Sequence, residues 1–365
     1  MRVLHIFNSL LPSGAETMWA GAKDVLRQSK VETHVLATLT DIGSYSEEMR
    51  KAGFKVHHVW HRAQHFLDLG YCWRLFTLLR KERFDAVQVH PEAWRLTNVL
   101  VARIAGVKRV VCSVHNVFER NGIRWIQRVL IANLIRLFGG QLVAVGESVC
   151  MNERRYLYEP LMIENWIDFG KFTRFSALER SEFLSRMSLP PDSVVVMTVA
   201  NCNKVKNHAF LFRMARLLPA NYYIIHIGAE DPRLGERELV AELGIEARVR
   251  FLGVRKDVLD LLAYADVYVM TSLREGFSIS CLEALYSGIP SVVSDVPGLR
   301  DAADIPLCVI APLEERMFAN EVIEFANLDY LTRMNLKNAT RNLMQKRFSM
   351  KKNVEKYLEM WGVKV

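Results

Sequence analysis

Two glutamates, Glu275 and Glu283, lie eight positions apart in the segment REGFSISCLE. In one continuous helix their side chains would point about 80° apart and lie about 12 Å apart along the axis, so they could not share a proton. Gly276 and the polar residues 278–280 predict instead a loop at Glu275, a turn, and a helix that carries Glu283. The sequence therefore predicts that Glu275 precedes the start of the helix and that Glu283 lies within it.

A helix start at this turn would suit a phosphate, because its first backbone N–H groups are unpaired and the helix dipole is positive there. The flanking carboxylates would accept hydrogen bonds from hydroxyl groups. A sugar nucleotide carries both phosphate and hydroxyls, so the segment favours such a ligand. A purely structural interpretation stays open on this stretch, in which Ser280 and Glu283 form a capping box and Glu275 is a solvated loop residue.

Short β-branched segments alternate with helix-like segments along the whole chain. Strands that alternate with helices are typical of parallel sheets covered on both faces, so we expect two doubly wound α/β domains. The boundary falls within residues 166–192, where Pro190 and Pro191 precede a new strand, and the final residues are expected to form a closing helix. The strand-like segments are VLHIF, ETHVL, FKVHHV, DAVQVH, RVVCSVH and QLVAVG, then SVVVMTVA, YYIIHIG, RVRFLG, DVYVMT and PSVVSD.

Small and charged residues follow many of these strands. Open parallel sheets bind ligands at the carboxyl ends of their strands, and the cleft between two facing domains is the expected site. Neither half opens with G-x-G-x-x-G and no G-x-x-x-x-G-K-[ST] loop occurs, which disfavours a Rossmann dehydrogenase or a P-loop enzyme. The residues that follow strands include Gly14, His115, Asn201, Lys204, Lys206, Gly253 and Glu275.

Composition excludes several classes of protein. With 365 residues, 50% of them hydrophobic and 24% charged, the chain is too long for one compact core and has no disordered signature. Its net charge of +8 indicates an anionic partner, which on composition alone is a nucleotide phosphate, a nucleic acid or an anionic lipid. No zinc-finger, RNP or basic-heptad pattern occurs, so direct nucleic-acid binding is disfavoured.

Cysteine usage and the N-terminus bear on the compartment. The six cysteines form no C-x-x-C pair and no histidine cluster has zinc spacing, which predicts a reduced chain without disulfides or a metal site. Pro12 and Gly14 end the first apolar run too early for a signal peptide, and no apolar run is long enough to cross a bilayer. We expect a cytoplasmic protein, either free or peripheral at the inner face of the cytoplasmic membrane.

The element EGFSISCLE, followed by ALYSGIPSVVSDVPG, resembles the nucleotide-sugar motif of retaining glycosyltransferase family 4, which has the GT-B fold. Further segments follow the family's order: SGAE, HN at 115–116, ENWIDFGKF, KVKNH, RFLG and DVYVMTSLREGF. The resemblance implies two Rossmann-like domains that face a central cleft. Residues 1–168 would bind the acceptor, with residues 350–365 packing back onto them, and residues 169–349 would bind the nucleotide sugar.

The resemblance also implies roles for individual residues. Glu275 would accept hydrogen bonds from the donor sugar, and Glu283 would accept them from the ribose. Lys206 would neutralise the leaving diphosphate, and His115 would lie near the reacting centre. The other predicted donor-binding residues would meet the phosphates or line the base pocket; they are Gly14, Asn201, Lys204, Gly253, Val254, Phe277, Ser278 and Ile279.

Three positions depart from the family pattern. Asn201 stands where the family commonly has an arginine, Trp166 replaces a glycine at the domain junction, and Asp301 replaces a glutamate. Lys204 is the nearest residue along the chain that offers a second positive charge beside Lys206.

The implied reaction is a retaining, metal-independent transfer of a hexose or N-acetylhexosamine to a cell-surface glycan or a lipid-linked acceptor, without a cofactor. A UDP-sugar is the favoured donor. Alternatives that stay open are a GDP-mannose-dependent mannosyltransferase, an epimerase of the same fold, and a non-catalytic glycosyltransferase-like partner subunit.

Arginines spaced at multiples of four residues mark the segment ERNGIRWIQRVLIANLIRLFGG. They lie beside apolar residues, a pattern typical of helices that bind an anionic membrane surface. A helix packed on the sheet, with solvated arginines, is the alternative. The residues are Arg120, Arg124, Arg128 and Arg136, with Trp125, Ile126, Val129, Leu130, Leu134 and Leu137.

Overall fold

Two compact units make up the chain. The computed structural model describes residues 1–62, 68–118, 122–156, 158–173 and 179–364, without the side chains of residues 122–124 and 173. The first unit comprises Met1–Asp168 together with Phe348–Val365, and the second comprises Phe169–Arg347. The chain therefore leaves the first unit once and returns to it at its end.

A parallel sheet forms the centre of the first unit. Within the described residues it has seven strands in the order β3-β2-β1-β4-β5-β6-β7. The strands are β1 (Arg2–Phe7), β2 (Glu32–Ala37), β3 (Lys55–His58), β4 (Ala86–Val89), β5 (Arg109–Val114), β6 (Gly140–Ala144) and β7 (Leu161–Met162). The helices are α1 (Gly14–Gly21), α2 (Lys23–Gln28), α3 (Ser46–Lys51), α4 (Leu69–Glu82), α5 (Arg95–Ile104), α6 (Gly122–Leu137) and α7 (Glu147–Arg154).

The second unit repeats this plan with six strands among the described residues, in the order β10-β9-β8-β11-β12-β13. Its strands are β8 (Val194–Val199), β9 (Tyr222–Ile227), β10 (Val249–Phe251), β11 (Val267–Met270), β12 (Ser291–Ser294) and β13 (Cys308–Ala311). Its helices are α8 (Arg180–Arg186), α9 (His208–Ala215), α10 (Glu236–Glu242), α11 (Val258–Leu262), α12 (Ile279–Ser287), α13 (Glu315–Ala326) and α14 (Tyr330–Arg347). The last helix, α15 (Met350–Trp361), belongs to the first unit.

Both sheets are doubly wound, which confirms the predicted fold class. Every strand pair within them is parallel, so all strands of a sheet end at the same edge. The strand order reverses between β1 and β4 in the first sheet and between β8 and β11 in the second. A crevice opens at the carboxyl ends of the strands at such a reversal, and ligands of this fold bind there.

Helix α15 is held by a cluster of aromatic side chains in the first unit. Its apolar residues recur at helical spacing, and Trp361 is fully buried. The indole ring centre of Trp19 lies 5.6 Å from that of Trp361 and 4.9 Å from that of Trp166. Trp361 Nε1 also donates a hydrogen bond to Gln88 Oε1 at 3.1 Å. The tryptophan that replaces the family's glycine at position 166 thus packs in this core.

We expect Trp361→Ala to lower the free energy of unfolding by about 3–5 kcal/mol, because it leaves a large cavity and removes the donor to Gln88 Oε1. Denaturant unfolding monitored by circular dichroism measures the change. The matched control is Trp73→Ala, since Trp73 is 69% exposed and its loss should cost less than about 0.5 kcal/mol. Equal costs for both variants would contradict the packing described for α15.

Helix α6 exposes an apolar face. Ala132 and Ile135 are buried against the unit, whereas Ile126, Leu130 and Leu137 are 51%, 57% and 75% exposed. None of the described helices is long and apolar enough to cross a membrane.

The predicted arginine stripe on α6 is wrong at Arg128. Its guanidinium carbon lies 3.3 Å from the ring centre of Phe118, and burial lowers the pKa of Arg128. Packing against aromatic rings therefore turns this arginine inward. Arg136 is exposed, Arg120 lies outside the described residues, and so does the side chain of Arg124.

Candidate active site

The loops that follow β8 and β11 meet at the strand-order reversal of the second sheet. Lys206, on the first loop, forms an ion pair with Glu275 Oε1 on the second. Ser272 Oγ donates to the same carboxylate oxygen at 2.8 Å. The side chains of Lys206 and Glu275 are only 23% and 12% exposed. An ammonium and a carboxylate are thus held together, partly shielded from water, at the edge where this fold binds ligands.

Hydrogen bonds fix the backbone of the Lys206 loop. Asn203 Oδ1 accepts from the amides of Val205 and Lys206 at 2.9 and 3.0 Å, which folds the loop into a tight turn. Thr271 Oγ1 donates to the carbonyl oxygen of Lys206 at 3.2 Å, and the Leu273 amide donates to that of Val205 at 2.7 Å. The two loops are therefore tied to each other through their main chains as well as through the ion pair.

A glycine from a third loop packs against the backbone of Glu275 and Gly276. Gly298 has φ +87°, a conformation that side chains disfavour. A Cβ atom there would lie 1.9 Å from the carbonyl oxygen of Gly276 and 2.4 Å from that of Glu275. Only a residue without a side chain allows this close approach, so Gly298 helps to fix the turn after Glu275.

Helix α12 begins directly after this turn. Ser278 is its N-cap, and Ser278 Oγ accepts from the Cys281 amide at 3.3 Å. The capping residue is therefore Ser278, and the alternative box of Ser280 with Glu283 does not form. Phe277 is 5% exposed and Ser278 7%, so this segment offers a ligand its backbone rather than its side chains. The first turn of α12 presents the N–H groups that helices leave unpaired.

Glu283 lies one turn into α12, and the turn before this helix separates it from Glu275 along the chain. Burial raises the pKa of Glu283 to about 7, an effect that the charge of Lys171 opposes. A carboxyl group in this state is about half ionised at neutral pH. Any ligand that donates hydrogen bonds to it would favour the ionised form.

The remaining predicted donor-binding residues lie in several loops and at the starts of two helices. Asn201 Oδ1 accepts from the Ala229 amide at 2.8 Å, so this side chain bridges the loops after β8 and β9. Lys204 is exposed in the Lys206 loop. Gly253 has φ +63°, and Val254 beside it is 54% exposed. Ile279 is the first residue of α12, and Gly14 opens helix α1 of the first unit.

A chain of three histidines lies at the strand-order reversal of the first sheet. His115 follows β5, His90 follows the neighbouring β4, and His5 lies within β1. His115 Nε2 is 3.0 Å from His90 Nδ1, and His90 Nε2 is 3.2 Å from His5 Nδ1. Each contact needs one proton, so the three rings adopt their tautomers together.

These histidines are neutral at physiological pH. Burial, reinforced by the charge of Arg95, lowers the pKa of His115 to about 4. Burial lowers the pKa of His5 to about 3, and that of His90 also falls well below its usual value. His115 is therefore a neutral imidazole, and its tautomer is coupled to that of His90 through their contact.

Sequence reasoning missed His90 and His5. The segment DAVQVH does end in a histidine directly after a strand, which was the available signal. Its relation to His115 depends on β4 and β5 being neighbours, and neither segment alone specifies the strand order.

We expect His90→Phe to lower kcat about 10- to 100-fold, because the phenyl ring retains packing but cannot orient His115. Its effect on the KM for the donor should be small. Steady-state kinetics measure both, with His34→Phe as the control, since His34 is equally buried but pairs with His57. A turnover in His90→Phe equal to that of the control would contradict the orienting role.

Two protein families match this chain. Residues 13–145 match the family described as glycosyl transferase 4-like domain, and residues 180–343 match the family described as glycosyl transferases group 1. Each match covers the greater part of one unit; the first includes β2–β6 of the first sheet and the second includes all six described strands of the second sheet.

Individual proteins agree with these matches. The chain is 29% identical to a Bacillus subtilis (strain 168) protein that is named as the glycosyltransferase EpsF. The match covers 80% of this chain and 79% of EpsF. It is 27% identical to an Escherichia coli UDP-Gal:alpha-D-GlcNAc-diphosphoundecaprenol alpha-1,3-galactosyltransferase over 61% of each chain. The crystal structure of Anabaena HepE with UDP and glucose superposes with a TM-score of 0.83, covering 98% of both chains at 18% identity. The chain belongs to the family 4 type of GT-B glycosyltransferases.

Proposed function

We propose that this chain is a retaining hexosyltransferase that moves a hexose or N-acetylhexosamine from a UDP-sugar to a glycan or lipid-linked acceptor in cell-surface polysaccharide biosynthesis. The observation that carries this proposal is the Lys206–Glu275 ion pair beside the start of α12. Lys206 offers a cation to a diphosphate, and the unpaired amides at the start of α12 can donate hydrogen bonds to the same group. Glu275 can accept hydrogen bonds from sugar hydroxyls. A nucleotide sugar needs all three.

The second unit holds the donor. The diphosphate lies between Lys206 and the first turn of α12, where the ammonium and the amides stabilise the charge that develops as it leaves. Glu275 accepts hydrogen bonds from the sugar and Glu283 accepts them from the ribose. Binding of the donor loosens the Lys206–Glu275 pair, because each partner gains a contact with the ligand.

Transfer proceeds on one face of the sugar. The acceptor oxygen bonds to the anomeric carbon on the face from which the diphosphate departs, while the bond between that carbon and the phosphate oxygen breaks. The acceptor's hydroxyl proton passes to the departing phosphate, and no protein carboxylate attacks the sugar because the acceptor does so directly. Lys206 and the first amides of α12 balance the charge of the diphosphate in place of a metal ion. His115, a neutral imidazole, hydrogen-bonds to the transferred sugar and helps to orient it.

Two comparisons favour UDP as the leaving group. The E. coli relative is named for UDP-Gal and a diphosphoundecaprenol acceptor, and HepE was solved with UDP. A GDP-mannose-dependent mannosyltransferase is the alternative donor class. Lys206, Glu275 and His115 are all present and partly buried, and a non-catalytic partner subunit would be expected to lack at least one of them, which favours an enzyme.

A thermal melt with UDP, GDP, ADP and CMP tests the donor class. A ligand at 100 times its dissociation constant stabilises by about 2.7 kcal/mol, which shifts the melting temperature measurably. We expect UDP to shift it most. A UDP-sugar and a lipid-linked acceptor should then give a product with the donor's anomeric configuration, read by NMR. A shift by GDP alone, or an inverted product, would contradict the proposal.

We propose in addition that the exposed apolar face of α6 binds the membrane surface on which a lipid-linked acceptor is found. Ile126, Leu130 and Leu137 project from one side of the helix, and Arg136 lies beside them. Apolar side chains flanked by a basic residue suit the headgroup region of an anionic bilayer.

Vesicle sedimentation tests this proposal. Leu130→Glu should weaken binding to vesicles that contain phosphatidylglycerol about tenfold, because it removes buried apolar area and adds a negative charge. The matched control is Ile104→Glu, since Ile104 is 73% exposed on α5 of the same unit. Equal losses in the two variants, or no binding by the wild type, would contradict docking through α6.

A further inference from the structure

A thiol, two imidazoles and a carboxylate converge in the interior of the second unit. Cys202 follows β8, His226 lies within β9, and His208 and Glu236 are the first residues of α9 and α10. All four are buried, with exposed fractions of 7%, 0%, 2% and 8% for Cys202, His226, His208 and Glu236. We call these four residues the Cys202 cluster. Side chains of these types are the usual ligands of zinc and related transition metals.

The distances within the Cys202 cluster are close to those of a coordination sphere. One ligand atom from each of Cys202, His208 and His226 lies within 4.8 Å of the others. His208 Nδ1 is 3.1 Å from Glu236 Oε1, and the Cys202 thiol also hydrogen-bonds to the Glu236 carboxylate. Ligand atoms around a tetrahedral zinc ion are about 3.3–3.8 Å apart, given metal–ligand bonds of about 2.0–2.3 Å. The ligand atoms are thus more widely spaced than in such a sphere, and a bound cation would draw them together by side-chain rotation.

Hydrogen bonding leaves one buried acceptor of the Cys202 cluster without a donor. His226 Nε2 donates to the carbonyl oxygen of Ala200 at 2.9 Å, so the ring's lone pair is on Nδ1. His226 Nδ1 is buried and has no hydrogen-bond partner among the residues that the structure describes, whereas the Glu236 carboxylate pairs with His208 and with the Cys202 thiol. A metal-ligating histidine typically donates its other N–H to a backbone carbonyl in this way. A buried acceptor without a donor, as at His226 Nδ1, is costly unless a cation binds it.

We propose that Cys202, His208, His226 and Glu236 bind one divalent transition-metal cation of the zinc class. Coordination displaces the thiol proton of Cys202 to solvent, and the sulfur binds as a thiolate. The thiolate and the Glu236 carboxylate then balance the two positive charges, and the imidazoles bind as neutral ligands. The loaded site is electrically neutral, which suits its burial.

The position of the Cys202 cluster gives the cation a structural role. Cys202 and His208 bracket residues 203–207, the loop that presents Lys206. A cation bound to both would link the two ends of this loop to each other and to β9 and α10. It would lie behind the loop as a support, so the sugar-transfer step needs no contribution from it.

The ligand spacings explain why the sequence does not reveal the site. The four ligands are separated by 6, 18 and 10 residues, and none of these intervals matches a short zinc motif. They converge only because β8 and β9 are neighbouring strands.

Metal analysis of untagged protein, purified without chelators and dialysed, tests the proposal. We expect about one equivalent of zinc per chain by mass spectrometry of the acid digest. Cys202→Ala and His226→Gln should lose it, whereas Cys112→Ala, which removes a buried thiol of the first unit, should retain it. Wild-type protein with substoichiometric zinc that cannot be reloaded would mean a hydrogen-bonded cluster only, and would overturn the proposal.

Cobalt replacement gives a second reading that does not depend on the variants folding. Wild-type protein stripped with a chelator and loaded with Co²⁺ should show a thiolate-to-cobalt charge-transfer band and the visible bands of a tetrahedral complex. Reloading with Zn²⁺ should also raise the melting temperature of the stripped protein. Spectra of hexahydrated Co²⁺, with an unchanged melting temperature, would contradict the site. Neither reading depends on sugar transfer, so the proposed enzymatic function stands or falls separately.

Discussion

Lys206→Ala should lower kcat/KM for a UDP-sugar donor by about 30- to 1000-fold, which corresponds to about 2–4 kcal/mol of transition-state stabilisation. The ammonium lies where negative charge grows as the diphosphate leaves, in a position only 23% exposed to water. Electrostatic stabilisers in such shielded positions act mainly on the transition state. We therefore expect most of the loss in kcat, measured by UDP release in a coupled assay.

Folding and catalysis must be separated in this experiment. Among the described residues, removing Lys206 leaves the partly buried Glu275 carboxylate with Ser272 as its side-chain donor, which should lower stability by about 1–3 kcal/mol. Assays well below the melting temperature avoid this effect. Lys204→Ala is the matched comparison because Lys204 is exposed in the same loop, and it should cost less than about tenfold. Near-wild-type turnover in Lys206→Ala would refute its assignment to the leaving group.

Glu283→Gln should weaken UDP binding by about 10- to 100-fold at pH 8. The carboxylate accepts hydrogen bonds from two ribose hydroxyls in the proposed complex, and bonds to a charged acceptor contribute about 1.5–3 kcal/mol each, of which the amide retains part. Isothermal titration calorimetry measures the change. Glu246→Gln is the control, since Glu246 is exposed on the same unit. Unchanged UDP affinity in Glu283→Gln would place the ribose elsewhere.

The pH dependence of binding gives the same assignment a second test. Burial raises the pKa of Glu283 from its usual 4.5 to about 7 in the free protein. UDP binds the ionised form, so affinity should rise from pH 5.5 to about 7.5, by at most about tenfold per unit, and then level off. The free protein loses the corresponding stability as pH rises from about 4.5 to about 7. Glu283→Gln should lack this rise, and comparison with it cancels the titration of the nucleotide itself.

The fold was largely predictable because strand and helix periodicities are local properties of the sequence. The residues that end strands were also visible, which placed Lys206 and Glu275 at a sheet edge. Their ion pair was not predicted, since the two residues are 69 positions apart and meet only when β8 lies beside β11. The same dependence on strand order hid the contact of His90 with His115 and the convergence of the Cys202 cluster.

Local competition between interactions accounts for the other differences between the predicted and the observed structure. Ser278 and Ser280 both precede the apolar part of α12, and only the structure shows that Ser278 caps the helix. Arg128 fits a surface stripe by its spacing, but stacking on Phe118 turns it inward. Side-chain packing of this kind depends on neighbours that periodicity does not specify.

A crystal structure of the chain with UDP tests the central claim most directly. We predict that the β-phosphate lies within hydrogen-bonding distance of Lys206 Nζ and of the first amides of α12, and that the ribose hydroxyls donate to Glu283. Glu275 should then have turned part of its carboxylate away from Lys206 toward the sugar position. A diphosphate bound away from α12, or a ribose without contact to Glu283, would contradict the account.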